Sequence, residues 1–277
     1  MPAQPVPSAP PQAQLPSLSE PAPAASLKGI PPVVFLGENH MENRRGDETQ
    51  ILKAYKEKYG RNASPLLAVE LPNQFQASFN TYVKSARTPQ DEEKFWMSAV
   101  ASVNPAITPE KAKGLADNYY MAPGRGEETR GLIQVATQAV DQGYRVALVD
   151  QYMPRDMATG LHGLETRNSI MSGRIAQLAG QSPTGGVIVI DGAAHNQADV
   201  GVATLPQLLA KKGFSNQVSL NLTNEDMAGE IPVANPKEAM AAIDKQALAS
   251  APFQRSSQTV AQGEQTQRTL AAPIVSR

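Results

Sequence analysis

The stretch Val33-Val34-Phe35-Leu36-Gly37-Glu38-Asn39-His40 decides the fold of this chain. Four apolar residues in a row are followed by a glycine and three polar side chains. A continuous apolar run without polar alternation is typical of a strand that is covered on both faces of a parallel sheet. Similar runs recur at residues 66–69, 145–149 and 186–190, and a fifth, alternating run follows at 217–222.

Helix signals lie between these runs. An N-cap residue precedes Pro at Thr88-Pro89, Thr108-Pro109 and Asn235-Pro236, which is the usual start of a helix. Residues 127–142 and 164–179 each place apolar side chains on one helical face. Because strands that alternate with helices indicate an α/β fold, we predict a three-layer sandwich with a mainly parallel sheet of at least five strands.

The two ends of the chain differ in composition from its body. The first 32 residues contain ten prolines, which prevent regular hydrogen-bonded structure. We predict a disordered Pro/Ala-rich leader at 1–27, an α/β domain at 28–249 and a disordered Gln/Ser-rich tail at 250–277. Within the domain, residues 73–142 have helix signals and no clear strand, and we expect them to be a helical insertion that shapes a pocket.

Overall composition excludes several classes of protein. The 277 residues carry 25 basic and 26 acidic side chains, so the net charge is −1, whereas nucleic-acid binders usually have a basic excess. The chain has no cysteine, which excludes disulfides, thiolate metal sites and cysteine nucleophiles. No apolar run approaches the ~18 residues of a membrane-spanning helix. We therefore expect no nucleic-acid partner and no transmembrane segment.

The residues that follow the apolar runs carry the chemistry. In a parallel sheet the carboxyl ends of the strands share one edge, and ligands bind in the crevice along it. Carboxylates beside imidazoles can orient a general base or hold a divalent metal. The acidic and histidine residues at these strand ends are Glu38, His40, Glu70, Asp150, Asp191 and His195.

Each of these residues also has a structural alternative. An acidic residue after a strand often caps a helix or forms a turn, and Glu70 could simply pair with an arginine. Arg167, on the helix after the third run, could provide that partner or bind an anionic group of a substrate. The joint pattern favours a functional cleft that contains Glu38, His40, Glu70, Arg167 and His195. Three further residues would contact these side chains and orient them, namely Asp150, Asn168 and Asp191.

The order of these motifs resembles a known superfamily. Gly37-Glu38-Asn39-His40 matches its Gly-Glu-x-His motif, Glu70 ends the second strand, and Gly143 to Asp150 match Gly-x-Arg-Val-x-x-x-Asp. Arg167-Asn168 with Met171, and Gly192-Ala193-Ala194-His195, complete the pattern. It is similar to the superfamily of erythromycin esterases, ChaN-like haem-uptake lipoproteins and Tiki/TraB proteins, of which a related domain occurs in bacterial toxins.

The resemblance implies different activities in different branches. In erythromycin esterases the matching histidines and glutamates activate water for ester hydrolysis. In Tiki-type proteins the histidine motifs are associated with a divalent metal and peptide cleavage, and in ChaN-like proteins the fold is linked to haem. A bacterial toxin or effector would also suit the Pro-rich leader. We therefore expect a bacterial protein that is cytoplasmic, or secreted without a Sec signal peptide.

Two functions follow from these patterns. The first is a hydrolase of an ester- or amide-like bond in a small-molecule or peptide substrate, in which His40 or His195 acts as general base and Arg167 stabilises negative charge. A metal variant would use His40, His195 and Glu38 as ligands. The alternative is a module without catalysis that binds haem or a partner protein, and a host or partner protein could also bind the leader.

Overall fold

A computed structural model of the chain describes residues 32–39, 44–60, 63–122, 126–153, 157, 159–181, 186–223 and 225–250. The predicted leader, the predicted tail beyond residue 250 and the predicted site residue His40 lie outside these residues.

The centre of the described part is a six-stranded sheet with the strand order β3-β2-β4-β1-β5-β6. All of its strand pairs are parallel. The strands are β1 (Val33–Glu38), β2 (Leu66–Pro72), β3 (Arg145–Asp150), β4 (Val187–Gly192), β5 (Gln217–Asn221) and β6 (Ile231–Pro232). The predicted α/β fold with a parallel sheet is confirmed, and the two-residue edge strand β6 was not predicted.

Helices connect the strands. They are α1 (Arg45–Tyr59), α2 (Gln76–Tyr82), α3 (Pro89–Val103), α4 (Pro109–Leu115), α5 (Glu127–Asp141), α6 (Gly160–Gly180), α7 (Leu205–Lys211) and α8 (Pro236–Ala249). Short 3-10 turns follow β2 (Asn73–Phe75) and β4 (Ala193–His195), and a π-helical turn (Ala116–Tyr120) follows α4. The caps predicted at Thr88, Thr108 and Asn235 are present, and each side chain accepts a hydrogen bond from the first turn.

The two faces of the sheet carry separate apolar cores. Val34 and Leu36 of β1 point to the face that is covered by α1, α3, α5 and α8. Val33 and Phe35 point to the opposite face, which is covered by α6 and α7. Because the apolar strands are buried on both sides, their sequences are continuously apolar, and the arrangement is the predicted three-layer sandwich.

The long connection between β2 and β3 has two parts. Helices α2, α3 and α4 with the π-helical turn build a small aromatic cluster, in which Trp96 is fully buried and stacks on Tyr120 at 4.4 Å between ring centroids. Helix α5 then packs its apolar face, including Leu132 and Val135, onto the sheet. The predicted insertion at 73–142 therefore contains both a peripheral helical cluster and a helix of the central sandwich.

Two glycines test how backbone conformation contributes to stability. Gly143 has φ +82°, in the left-handed region that disfavours side chains, and it ends the connection from α5 to β3. Gly173 lies inside α6 with open space around its Cα. We expect Gly143→Ala to lower the free energy of unfolding by about 1 kcal/mol, and Gly173→Ala to raise it by about 0.5–1 kcal/mol. Urea unfolding of both variants checks this, and equal effects of the two would contradict it.

Candidate functional site

Glu70 occupies an irregular position at the end of β2. Val69 pairs with Leu148 and Pro72 pairs with Asp150, so β2 has one more residue than β3 between these pairs. This is a β-bulge, a feature that re-aims side chains and is frequent beside active sites. Glu70 points to the same face of the sheet as Leu66 and Ala68, as strand alternation requires, and there its carboxyl group meets donors from α6 and from the end of β4.

Two groups donate to the Glu70 carboxylate, and a third, His195, lies within reach of it. Oε1 accepts a hydrogen bond from Nη2 of Arg167 and lies 3.2 Å from Nε2 of His195. Oε2 accepts from the backbone N–H of Gly192 at 2.5 Å. The Glu70 side chain is largely buried, and buried charges require such pairing.

Arg167 joins Glu70 to Asp150 at the end of the neighbouring strand. Its Nε lies 3.1 Å from Oδ2 of Asp150, and its Nη2 lies 2.7 Å from the same atom. Burial on its own lowers the pKa of Arg167, but the two carboxylates raise it above its ordinary value. The guanidinium therefore stays charged and holds two acidic side chains in place. Pairing with Glu70 is one of the two roles that the sequence suggested for Arg167, and the other, binding of a substrate anion, stays a prediction.

His195 is buried and both of its ring nitrogens have partners. Asn168 donates through Nδ2 to the carbonyl oxygen of Ala203 at 2.9 Å. Its Oδ1 is thus the atom that accepts from Nδ1 of His195. The other nitrogen, Nε2, faces Glu70, so a hydrogen bond there needs a proton on Nε2 or on the carboxyl group. Because both ring nitrogens face protein groups, His195 can affect a reaction only through its contact with Glu70.

Glu38 belongs to a second cluster, on the opposite face of the sheet. It accepts a hydrogen bond from Nη1 of Arg45, which also lies 3.1 Å from Oε1 of Glu48. Burial and a hydrogen bond to Glu38 raise the pKa of Glu48 to about 9. Arg45 packs directly over Gly131 of α5, where a Cβ would lie 2.6 Å from Nε.

The structure thus divides the residues that the sequence placed in one cleft. It brings together Glu70, Arg167, His195, Asp150 and Asn168. Strand alternation turns Glu38 towards α1, away from them. Asp191 is fully buried and accepts from Nδ2 of Asn196 at 2.8 Å. His40 lies outside the described residues.

Glu48 was missed because an acidic residue in the first turn of a helix has an ordinary explanation in the helix dipole. The three-residue spacing of Arg45 and Glu48, which places them on one helix face, is the only signal that could have drawn attention to this pair.

A cavity of about 180 Å³ opens beside Glu70. Its wall includes Glu70 and Pro72 at the end of β2, Tyr120 of the π-helical turn, Leu132 of α5, and Tyr152 just after β3. Glu70 is therefore the charged residue that belongs both to the cavity and to the buried ion-pair network.

The structure describes two of the three donors predicted for a metal, Glu38 and His195, and places them in separate clusters, whereas the third, His40, lies outside the described residues. Glu38 binds Arg45, and both nitrogens of His195 are bonded to protein groups. Within the described ranges, no three acidic or histidine side chains converge in the way that a metal site requires. In the same part of the chain, no helix is long and apolar enough to cross a membrane.

Comparisons with known proteins add little to the geometry. No protein-family model and no curated protein matches the chain. A solved structure titled "Bacterial protein toxins" is similar at 12% identity and a TM-score of 0.40, covering 72% of this chain and 35% of that one. A second, "Crystal structure of bacterial protein toxins", has 13% identity and a TM-score of 0.39, covering 70% and 34%.

The chain thus spans about a third of the length of these two structures. A likeness at this level says nothing about activity. The resemblance to erythromycin esterases and ChaN-like proteins stays a prediction.

The cluster around Glu48 predicts a pH-dependent stability. Between the ordinary carboxyl value of 4.5 and about 9, the folded state keeps a proton on Glu48 that the unfolded chain releases. The free energy of unfolding should therefore fall as the pH rises through this window. Glu48→Gln removes this titration and keeps the hydrogen bonds. At pH 8.5 we expect the variant to be more stable than the parent by about 1–3 kcal/mol, with the difference vanishing near pH 4.5.

Urea unfolding at several pH values measures this difference. Glu165→Gln, an exposed change on α6, is the matched control and should follow the parent curve. Parallel curves for Glu48→Gln and the parent across the whole range would contradict the assignment.

Proposed function

We propose that the protein hydrolyses an ester- or amide-like bond in the cavity beside Glu70, with this carboxylate as the general base. The observation that carries the proposal is that Glu70 lines the cavity while Arg167, His195 and the Gly192 N–H fix its orientation. A base must lie within hydrogen-bond reach of the water that it activates, and a fixed orientation reduces the cost of reaching the transition state.

The reaction needs only a water and a carbonyl substrate. Glu70 takes a proton from the water while the water oxygen attacks the carbonyl carbon. When the resulting tetrahedral intermediate collapses, the bond to the leaving oxygen or nitrogen breaks and that atom takes the proton from Glu70. Arg167 contacts both Glu70 and Asp150, and in this proposal it keeps the Glu70 carboxylate in place during the cycle.

His195 serves in this proposal as a positioning residue. It holds Oε1 of Glu70 through Nε2 and is itself held by Asn168. The sequence-based hypothesis gave the role of base to His40 or His195. His40 stays in the proposal as a second imidazole at the strand ends, on the sequence pattern alone. Likewise, the composition of the leader alone supports a bacterial effector or toxin.

Binding of haem is the second function that the sequence suggested. The phenol oxygens of Tyr120 and Tyr152 line the cavity region and are of a type that ligates haem iron. Yet a cavity of about 180 Å³ is smaller than the roughly 300–1,000 Å³ of usual ligand pockets. Haem does not fit this cavity, whereas a small acyl or leaving group does.

A hydrolysis assay with Glu70→Gln tests the proposal. We expect the parent to hydrolyse at least one member of a panel of small esters and peptide amides. Glu70→Gln should lower kcat by roughly 10²–10⁴-fold because the amide cannot take the proton. Glu165→Gln, exposed on α6, should keep the parent rate.

The same assay separates positioning from folding at His195. His195→Gln, whose amide can still donate to Glu70, should retain more of kcat than His195→Ala, with KM unchanged in both. Circular dichroism shows that each variant is folded. A parent that hydrolyses no member of the panel, a Glu70→Gln variant with the parent kcat, or a Soret band on haem titration that Tyr152→Phe abolishes would overturn the proposal.

A further inference from the structure

Glu230 is a buried carboxyl group without a partner. It lies just before β6, and both of its carboxyl oxygens are buried and accept no hydrogen bond from any described residue. An ionised group in such a place loses its hydration without compensation. Burial accordingly raises the pKa of Glu230 to about 8.

The carboxyl group fills a space that exists because residue 37 is glycine. A Cβ at Gly37 would lie 2.7 Å from Oε2 of Glu230 and 3.2 Å from the Cα of Ala193. Gly37 is the penultimate residue of β1, and Ala193 directly follows β4. The end of the Glu230 side chain therefore sits against the carboxyl edge of the two central strands.

Strand pairing relates this position to the proposed site. Gly37 pairs with Asp191 of β4. Val69 pairs with Ile190, so Glu70 follows beside Asp191. Since neighbouring strands are about 4.8 Å apart, residues 37, 191 and 70 follow one another across the edge of the sheet, and the carboxyl group of Glu230 packs against the first of them.

The segment that carries Glu230 is held at its start and near its end. At the start, the carbonyl oxygen of Glu225 accepts hydrogen bonds from Nδ2 of Asn221 at 2.5 Å and from Oγ1 of Thr223 at 3.1 Å. Ala198, in the turn after β4, donates its N–H to the carbonyl oxygen of Ala228 at 2.8 Å. Gly229 has φ +89° and packs against the Cβ of Ala198, where a Cβ of its own would lie 3.2 Å away. The rest of residues 225–229 is largely exposed, so the buried end of Glu230 is a principal anchor of this segment.

We propose that residues 225–230 form a latch, which the neutral carboxyl group of Glu230 holds over the ends of β1 and β4 and which its ionisation releases. Release would uncover the edge of the sheet next to Asp191 and extend the cavity beside Glu70 towards β1. The latch thus regulates access to this edge, whatever reaction takes place there.

Acidic groups outnumber basic ones around the latch, but burial alone accounts for the raised pKa of Glu230. Asp191 on β4 and Glu38 at the end of β1 are the acidic groups on the strands beneath the latch, and Glu225 and Asp226 belong to the latch itself. His195, two residues beyond Ala193, is the basic group on the turn after β4, and it is engaged by Asn168 and Glu70.

Proton linkage fixes the direction of the effect. The docked latch keeps a proton on Glu230 up to about pH 8, whereas the released latch loses it at the ordinary carboxyl value of 4.5. Docking should therefore be strongest below pH 4.5 and weaken by up to about tenfold per pH unit between these values. Above pH 8 it should change no further, because both states are then ionised.

Amide hydrogen exchange of the full chain measures the latch directly. The reporter is the Ala198 amide, which is hydrogen bonded only while Ala228 is docked, with its protection factor corrected for the intrinsic rate at each pH. The Lys212 amide, which is hydrogen bonded to Leu209 at the end of α7, is expected to exchange by local fraying that Glu230 does not affect, and it serves as the reference. The Ile190 amide in β4 reports global unfolding and must stay better protected than Ala198. For the parent we expect the ratio of the Ala198 protection factor to that of Lys212 to fall about 10-fold or more between pH 5.5 and pH 8.

Two variants separate the latch from other titrations. Glu230→Gln stays neutral, so its ratio should be high and independent of pH. Gly37→Ala fills the space that the carboxyl group occupies, so its ratio should be low at every pH. Glu225→Gln, an exposed change within the latch, should behave like the parent.

A Glu230→Gln ratio with the same pH dependence as the parent would overturn the latch, as would a parent ratio that does not change with pH. If Gly37→Ala does not fold, the comparison of Glu230→Gln with the parent still tests whether ionisation of Glu230 releases the latch. Exchange at Ala198 does not depend on hydrolysis, so failure of the latch and failure of the proposed activity are distinguishable.

Discussion

The guanidinium group of Arg167 lies between carboxylates from two neighbouring strands, Glu70 of β2 and Asp150 of β3. Without it, two largely buried acidic side chains would face each other at the edge of the sheet, and buried unpaired charges are strongly destabilising. Arg174 of the same helix donates to the carbonyl oxygens of Val149 and Asp150. Together with the ion pairs of Arg167, these hydrogen bonds fix the angle at which α6 meets the strand ends. Arg167 therefore holds the carboxylate of Glu70 in place together with the N–H of Gly192 and with His195.

The acidic residues at the edge of the sheet form two groups with different surroundings. On the face of α6, Glu70 is paired and still reaches a cavity. On the face of α1, Glu38 and Glu48 share one arginine within the protein interior, which suits a structural role. Strand alternation decides this division, since residues at the ends of neighbouring strands point to one face or the other according to their register.

Much of the fold was predictable from local sequence. Runs such as Val187–Ile190 are apolar without interruption because both faces of a central parallel strand are covered, and the Pro residues at positions 89, 109 and 236 mark helix starts for a steric reason. The association of Glu70, Arg167 and His195 also followed from the sequence, since parallel strands deliver their ends to one edge. The one-residue shift in the pairing of β2 with β3 after Val69 could not be predicted, because no local sequence signal marks it.

Other residues left no local signal. Glu48 resembles an ordinary acid at a helix start, and its environment arises from Arg45 and Glu38 only after α1 packs on β1. Glu230 lies in a segment without periodicity, and its burial depends on the missing side chain of Gly37, nearly two hundred residues earlier. Such features come from long-range packing, which patterns in a short window do not encode.

The central claim is that Arg167 and Glu70 are strongly coupled in the folded protein. A double-mutant cycle with Arg167→Met and Glu70→Gln measures this coupling from urea unfolding. Because the pair is largely buried, we predict a coupling free energy of about 1.5–3 kcal/mol. The cycle of Arg87→Met with Asp141→Asn, a more solvent-exposed pair at the end of α5, should give below about 1 kcal/mol. Additive effects of the Arg167 and Glu70 changes, within about 0.5 kcal/mol, would contradict the account.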